Sequence, residues 1–162
     1  MTRAAISATV VLAVAGLGAA WIMLPADPTA PAADAEAVPI SQGKVLYAEY
    51  CASCHGANLE GQPNWRSPGE DGRLPAPPHD DAGHTWHHSD RMLFEYTKLG
   101  GQAALANSGV DLDSGMPGFG SLLSDAQIRG ILNFIKSFWP ERAQRYQADR
   151  TEEAAQQEGR NQ

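Results

Sequence analysis

Apolar positions recur at helical spacing in three places along the chain. The first stretch runs from about Ser41 into the run Cys51–His55, with Gly43, Tyr47, Tyr50, Cys51 and Cys54 on one side. The second begins at Ser89, an N-cap residue followed by Asp90, and carries Met92, Leu93, Tyr96 and Leu99 before Gly100-Gly101 stops it. The third opens on Ser124-Asp125-Ala126-Gln127, which fits a capping box. Its apolar stripe is Ile128, Ile131, Leu132, Ile135, Phe138 and Trp139, and Pro140 marks a break. The pattern predicts a small all-α domain of three main helices over residues 41–139. Residues 56–88 and 100–123, rich in Gly, Pro, Asp and Ser, are read as loops. Loops of that length are unusual in a compact domain unless they cover an apolar surface of their own.

Ahead of this domain, Ala4 to Leu24 is an unbroken run without charge. As a helix it measures about 31 Å, close to the thickness of a hydrocarbon core. Only Arg3 and the amino terminus precede it, and Asp27, Asp34 and Glu36 follow, so the positive end is expected in the cytoplasm. A cleaved signal peptide is the competing reading, with small-residue stretches at Gly18-Ala19-Ala20 and Ala32-Ala33-Asp34-Ala35 available for cutting. The length of the run favours a retained transmembrane anchor over residues 1–24.

Residues 25–40, with Pro25, Pro28, Pro31 and Pro39, read as an extended, semi-stiff linker. Beyond Leu24 the chain holds every Lys and Arg except Arg3, 11 in all, against 19 Asp and Glu, a net charge of −8. That balance argues against nucleic acid as a ligand and suits a partner with a basic docking face. Residues 140–162 form a polar tail, expected as a solvent-exposed helix or as disorder.

Cys51-Ala52-Ser53-Cys54-His55 holds the two cysteines of the chain. Three positions apart on a helical turn, the thiols project to one side, where both can add to the vinyl groups of one porphyrin. His55 then sits under the iron as a neutral nitrogen ligand. The run matches the attachment signature of a c-type haem. Three rival chemistries use such a pair. A redox dithiol belongs with a βαβ pattern, which is not visible here. A zinc site usually takes a second close pair of ligands, for which only the later histidines are available. The third rival is a disulfide between near neighbours. Haem attachment accounts for the run best, and a single haem uses both thiols.

Taken in order, these and further residues resemble the class I cytochromes c, small all-α proteins that carry electrons. The resemblance spans roughly residues 41–139. In that family a Gly and an aromatic precede the first haem Cys by eight and four positions, met here by Gly43 and Tyr47. They pack against a carboxy-terminal helix whose aliphatic and following aromatic residue are matched by Ile131 and Phe134. The family's sixth iron ligand is a Met followed by Pro and soon by an aromatic, and Gly115-Met116-Pro117-Gly118-Phe119 looks like that motif. The resemblance implies His55 and Met116 as axial ligands. It also implies a Pro carbonyl as acceptor for the second ring nitrogen of His55; within Leu74–Pro78 the candidate is Pro77. A thioether is a soft, neutral ligand that favours reduced iron and raises the potential. With both axial positions filled no site is open to substrate, so a carrier is expected and not an enzyme.

The loop His79–His88 fits this picture least comfortably. It holds four histidines (His79, His84, His87 and His88) together with Asp80 and Asp81. Such a loop is open to copper or zinc binding, to replacement of Met116 at the iron, or to titration near neutral pH. The simplest reading makes some of these side chains, with Trp86, hydrogen-bond donors to the haem propionates. Trp65 to Pro78 also lengthens the chain beyond a minimal cytochrome c. The expectation is a bacterial monohaem cytochrome held by one span in the inner membrane, with its haem domain in the periplasm. Its partners would be a quinol-oxidising complex or dehydrogenase upstream and an oxidase or reductase downstream. The alternatives are the haem subunit of a periplasmic oxidoreductase, and a metal-handling or sensor protein using the His79–His88 loop.

Overall fold

The computed structural model describes residues 37–160. The anchor expected over 1–24 and most of the linker lie outside the described residues. Among the described residues there are six α-helices and one 3-10 turn, with no strand. None of these helices is long and apolar enough to cross a membrane.

The expected first helix is two pieces, α1 (Ile40–Tyr50) and α2 (Ala52–His55), parted at Cys51. Gly43, Leu46 and Tyr47 form the buried face of α1. That face lies on α5 (Asp125–Lys136), near the other end of the domain. The approach is close enough to demand glycine: a Cβ on Gly43 would stand 2.2 Å from the carbonyl oxygen of Gly130. Beside this crossing the Tyr47 and Phe134 rings meet at 5.4 Å, and Ile131 is fully buried.

The helix α5 starts where its sequence predicts. Ser124 Oγ accepts from the Gln127 amide, and the Gln127 side chain accepts from the Ser124 amide. Its stripe is corrected at one position. Phe138 is 54% exposed, and Phe134, one turn earlier, takes the buried place. The helix has already ended at Lys136, so Phe138 no longer follows its period.

Helix α3 (Asp90–Leu99) is capped as expected, Ser89 Oγ accepting from the Met92 amide at 3.3 Å. Its inner face differs from the expectation. Leu99 is largely exposed and Thr97 is buried, its hydroxyl donating to the Leu93 carbonyl at 2.9 Å. That internal bond satisfies the hydroxyl and makes the position suitable for the interior.

One helix lies in a segment expected to be a loop and another in the tail expected as helix or disorder, so the picture of three main helices is incomplete. Gly100, with φ 88°, does stop α3, but α4 (Gly101–Asn107) begins at the next residue. The run Ala103-Ala104-Leu105-Ala106 is strongly helix-forming, and Ala104 and Leu105 are buried. The polar tail is helix α6 (Glu141–Arg160), which packs on the turn Thr85–His87 and on α3. It is docked, not simply solvated: Ala143 and Gln147 are buried. Gln147 Nε2 donates to the His88 carbonyl and to the Asp90 carboxylate.

Candidate haem site

The short helix α2 presents Cys51, Cys54 and His55 within little more than one turn. Both thiols are free; Cys51 is buried and Cys54 exposed. Burial pushes the Cys51 thiol up to about 11, and the neighbouring Cys54 adds to the shift. A redox dithiol or a ready-made zinc ligand needs the opposite shift, toward thiolate. Cys51 is therefore poorly set for either chemistry.

His55 is buried at the end of α2, where Gly56 (φ 82°) turns the chain away. The Tyr47 hydroxyl reaches across from α1 and donates to the Gly56 carbonyl at 2.8 Å, fixing that exit. The ring Nδ1 of His55 lies 2.9 Å from the carbonyl oxygen of Pro77, an acceptor, so Nδ1 carries the proton. Burial lowers the basicity of the imidazole, outweighing the opposite influence of the Pro77 carbonyl. A neutral ring with Nδ1 protonated leaves the Nε2 lone pair for a metal.

Met116 sits in the segment after α4. It is half-buried and packs against the apolar cluster that contains Cys51, Leu59, Phe119 and Leu123. Its carbonyl accepts from the Gly101 amide at 3.0 Å, while the Phe119 amide donates to Thr97 and the Gly120 amide to Lys98. Three backbone bonds thus fasten the Met116 segment to the junction of α3 and α4. Gly100 permits the approach, since a Cβ there would stand 2.7 Å from the Gly118 nitrogen.

The sequence model of the family described as cytochrome c matches residues 40–139, well over half of the chain. The chain belongs to the cytochrome c family. No curated protein and no solved structure matched it. The cofactor of a cytochrome c is covalent haem c, one being typical for a domain of this size. The residues present fit that group. Two unpaired thiols stand at i and i+3, the adjacent imidazole is neutral and oriented, and a thioether borders the same apolar cluster. The buried indole Nε1 of Trp86 has no hydrogen-bond partner among the described residues, leaving a donor for an acidic group such as a haem propionate.

The histidine loop of this cytochrome c is spread over three surroundings. His79 stacks on His55, with ring centroids 4.0 Å apart. His84 stacks on Trp65 and meets the edge of His88. His87 lies against Trp86 and Tyr146, the latter from α6. Among the described residues no group of three or more His, Cys, Asp or Glu side chains is placed to hold a metal ion. The sequence reading grouped His79 with the other loop histidines and missed its place beside His55. Only the spacing Pro77-Pro78-His79 hinted at it, by putting an imidazole two residues after the carbonyl acceptor.

Proposed function

We propose that this protein is a one-electron carrier of the class I cytochrome c type, with Cys51 and Cys54 holding the haem and His55 and Met116 as axial ligands. The observation that carries the reading is the contact of His55 Nδ1 with the Pro77 carbonyl, because it places the proton on Nδ1 and leaves one neutral nitrogen free for a metal. Haem c supplies reversible one-electron exchange at its iron. The protein's part is to hold both axial donors still, so that little reorganises when the charge changes, and to exclude water from one side. Tyr47, Gly56 and Pro77 hold His55; Thr97, Lys98 and Gly101 hold the Met116 segment.

In this reading Ala4–Leu24 anchors the chain in a bacterial inner membrane, with the haem domain in the periplasm. Electrons arrive from a quinol-oxidising complex or dehydrogenase and leave to an oxidase or reductase. The net charge of −8 beyond Leu24 supports docking on basic partner surfaces.

The test is the absorption spectrum of the full chain, matured in a host that attaches haem c, in both redox states. The expected result is a low-spin covalent haem with a weak sulfur-to-iron charge-transfer band when oxidised. A low-spin spectrum without that band would move the sixth ligand to the histidine loop. A high-spin spectrum would replace the carrier by a haem enzyme or sensor. Recovery in the membrane fraction, released by detergent and not by salt, checks the anchor.

A further inference from the structure

We propose that His79 is a positioning residue for His55: its flat imidazole lies against the His55 ring and fixes how far that ring can turn about its Cβ–Cγ bond. The inference rests on the reading of His55 as an iron ligand. The two rings are 4.0 Å apart between centroids and 20° from parallel. The hydrogen bond from His55 Nδ1 to Pro77 fixes the side chain less completely. Rotation about a bond to an aromatic ring has broad energy wells, and a hydrogen bond tolerates tens of degrees of swing. A second flat surface in contact narrows that range.

His79 is itself held at several points. Its amide donates to the Leu59 carbonyl at 2.8 Å, and its carbonyl accepts from Trp139 Nε1 at 2.7 Å. Its ring Nδ1 lies 2.9 Å from Thr85 Oγ1, whose own proton goes to the Pro78 carbonyl at 3.3 Å. A hydroxyl has one proton to give, so Thr85 accepts from His79. His79 is therefore the Nδ1–H tautomer, with its ring plane locked. The Tyr47 ring stands edge-on to it at 6.4 Å. Burial, with His55 and His84 nearby, keeps His79 neutral. A leucine would fill the same volume without offering a flat face or a bond to Thr85.

The plane of an axial imidazole sets the magnetic anisotropy of low-spin ferric haem, which electron paramagnetic resonance and haem-methyl proton shifts both read. The experiment uses the full-length holoprotein. His79→Leu is expected to move the largest g value and redistribute the methyl shifts, whereas His79→Phe, which keeps a flat ring, stays near wild type. Thr85→Val removes the anchor of His79 and is expected to shift the spectra in the same sense, while Thr85→Ser restores them. Loss of thermal stability with unchanged g values and methyl shifts in both His79→Leu and Thr85→Val would overturn the proposal, leaving His79 as filler. If His79→Leu fails to mature, the comparison of Thr85→Val with Thr85→Ser carries the same test. The wild-type spectrum is taken first; one without His55 on the iron overturns the ligand assignment and this inference together. A changed variant spectrum against a His55-ligated wild type separates the two.

Discussion

The indole N–H of Trp139 donates to the carbonyl oxygen of His79 at 2.7 Å. Trp139 is buried just past the end of α5, and His79 heads the histidine loop, so one bond joins two distant segments beside the haem site. Trp139→Phe keeps most of the ring and removes the donor, leaving a half-buried acceptor without this partner. The expected cost is about 0.5–1.5 kcal/mol. Denaturant unfolding of the holoprotein measures it as a lower midpoint at unchanged slope.

Gly43→Ala forces a methyl to within 2.2 Å of the Gly130 carbonyl oxygen, a backbone atom that cannot swing aside. Separation of α1 from α5 is the only relief, and overpacking of this kind costs about 1–3 kcal/mol or more. Gly159→Ala is the control, since nothing lies within 4 Å of its added Cβ. It is expected to stay within about 0.5 kcal/mol of wild type. Equal effects of the two substitutions on the unfolding midpoint would refute the close-approach argument.

Met116→Ala follows from the proposed ligand set. Removing the thioether is expected to abolish the sulfur-to-iron band and to lower the reduction potential, because the soft neutral donor favours ferrous iron. Spectra and potentiometry of the same sample check both. An unchanged band would exclude Met116 as the sixth ligand.

Acid is expected to destabilise the fold through His84 and His88. Burial lowers the basicity of both, reinforced by His87 and Arg66 around His84 and by His84, His87 and Arg150 around His88. The unfolded chain therefore binds more protons than the folded one as pH falls through the usual histidine value of 6.5. The stabilising effect of keeping them neutral is complete at higher pH and is lost on the acid side. Urea midpoints measured from about pH 8 down to about pH 5 should fall. They should fall less steeply in a variant carrying His84→Gln and His88→Gln. Parallel curves would remove these two imidazoles from the account.

What was legible in the sequence was local or rigidly spaced. Ser124 and Gln127 announce the start of α5 because a capping box is made within one turn. Gly43, Tyr47, Ile131 and Phe134 were placed through the family resemblance, and they meet where α1 crosses α5. The errors arose where tertiary contacts decide. Gly100 ends one helix but does not prevent another from starting, so α4 was hidden behind a stop signal. The burial of Gln147 depends on the His88 carbonyl and Asp90, far away in the chain, and no polar pattern within α6 reveals it. Likewise, the pairing of His79 with His55 exists only once the intervening loop has closed on Leu59.

The crossing of α1 on α5 also imposes an order of events during biogenesis. The partner that covers α1 is the last helix of the matched segment, so a chain emerging amino terminus first displays Cys51 and Cys54 long before α5 exists. In the folded domain Cys51 is only 8% exposed, while Cys54 stays exposed. Loading of the Cys51 thiol is therefore favoured before closure. The late arrival of α5 provides a time window in which the unfinished chain serves as the substrate of its own maturation.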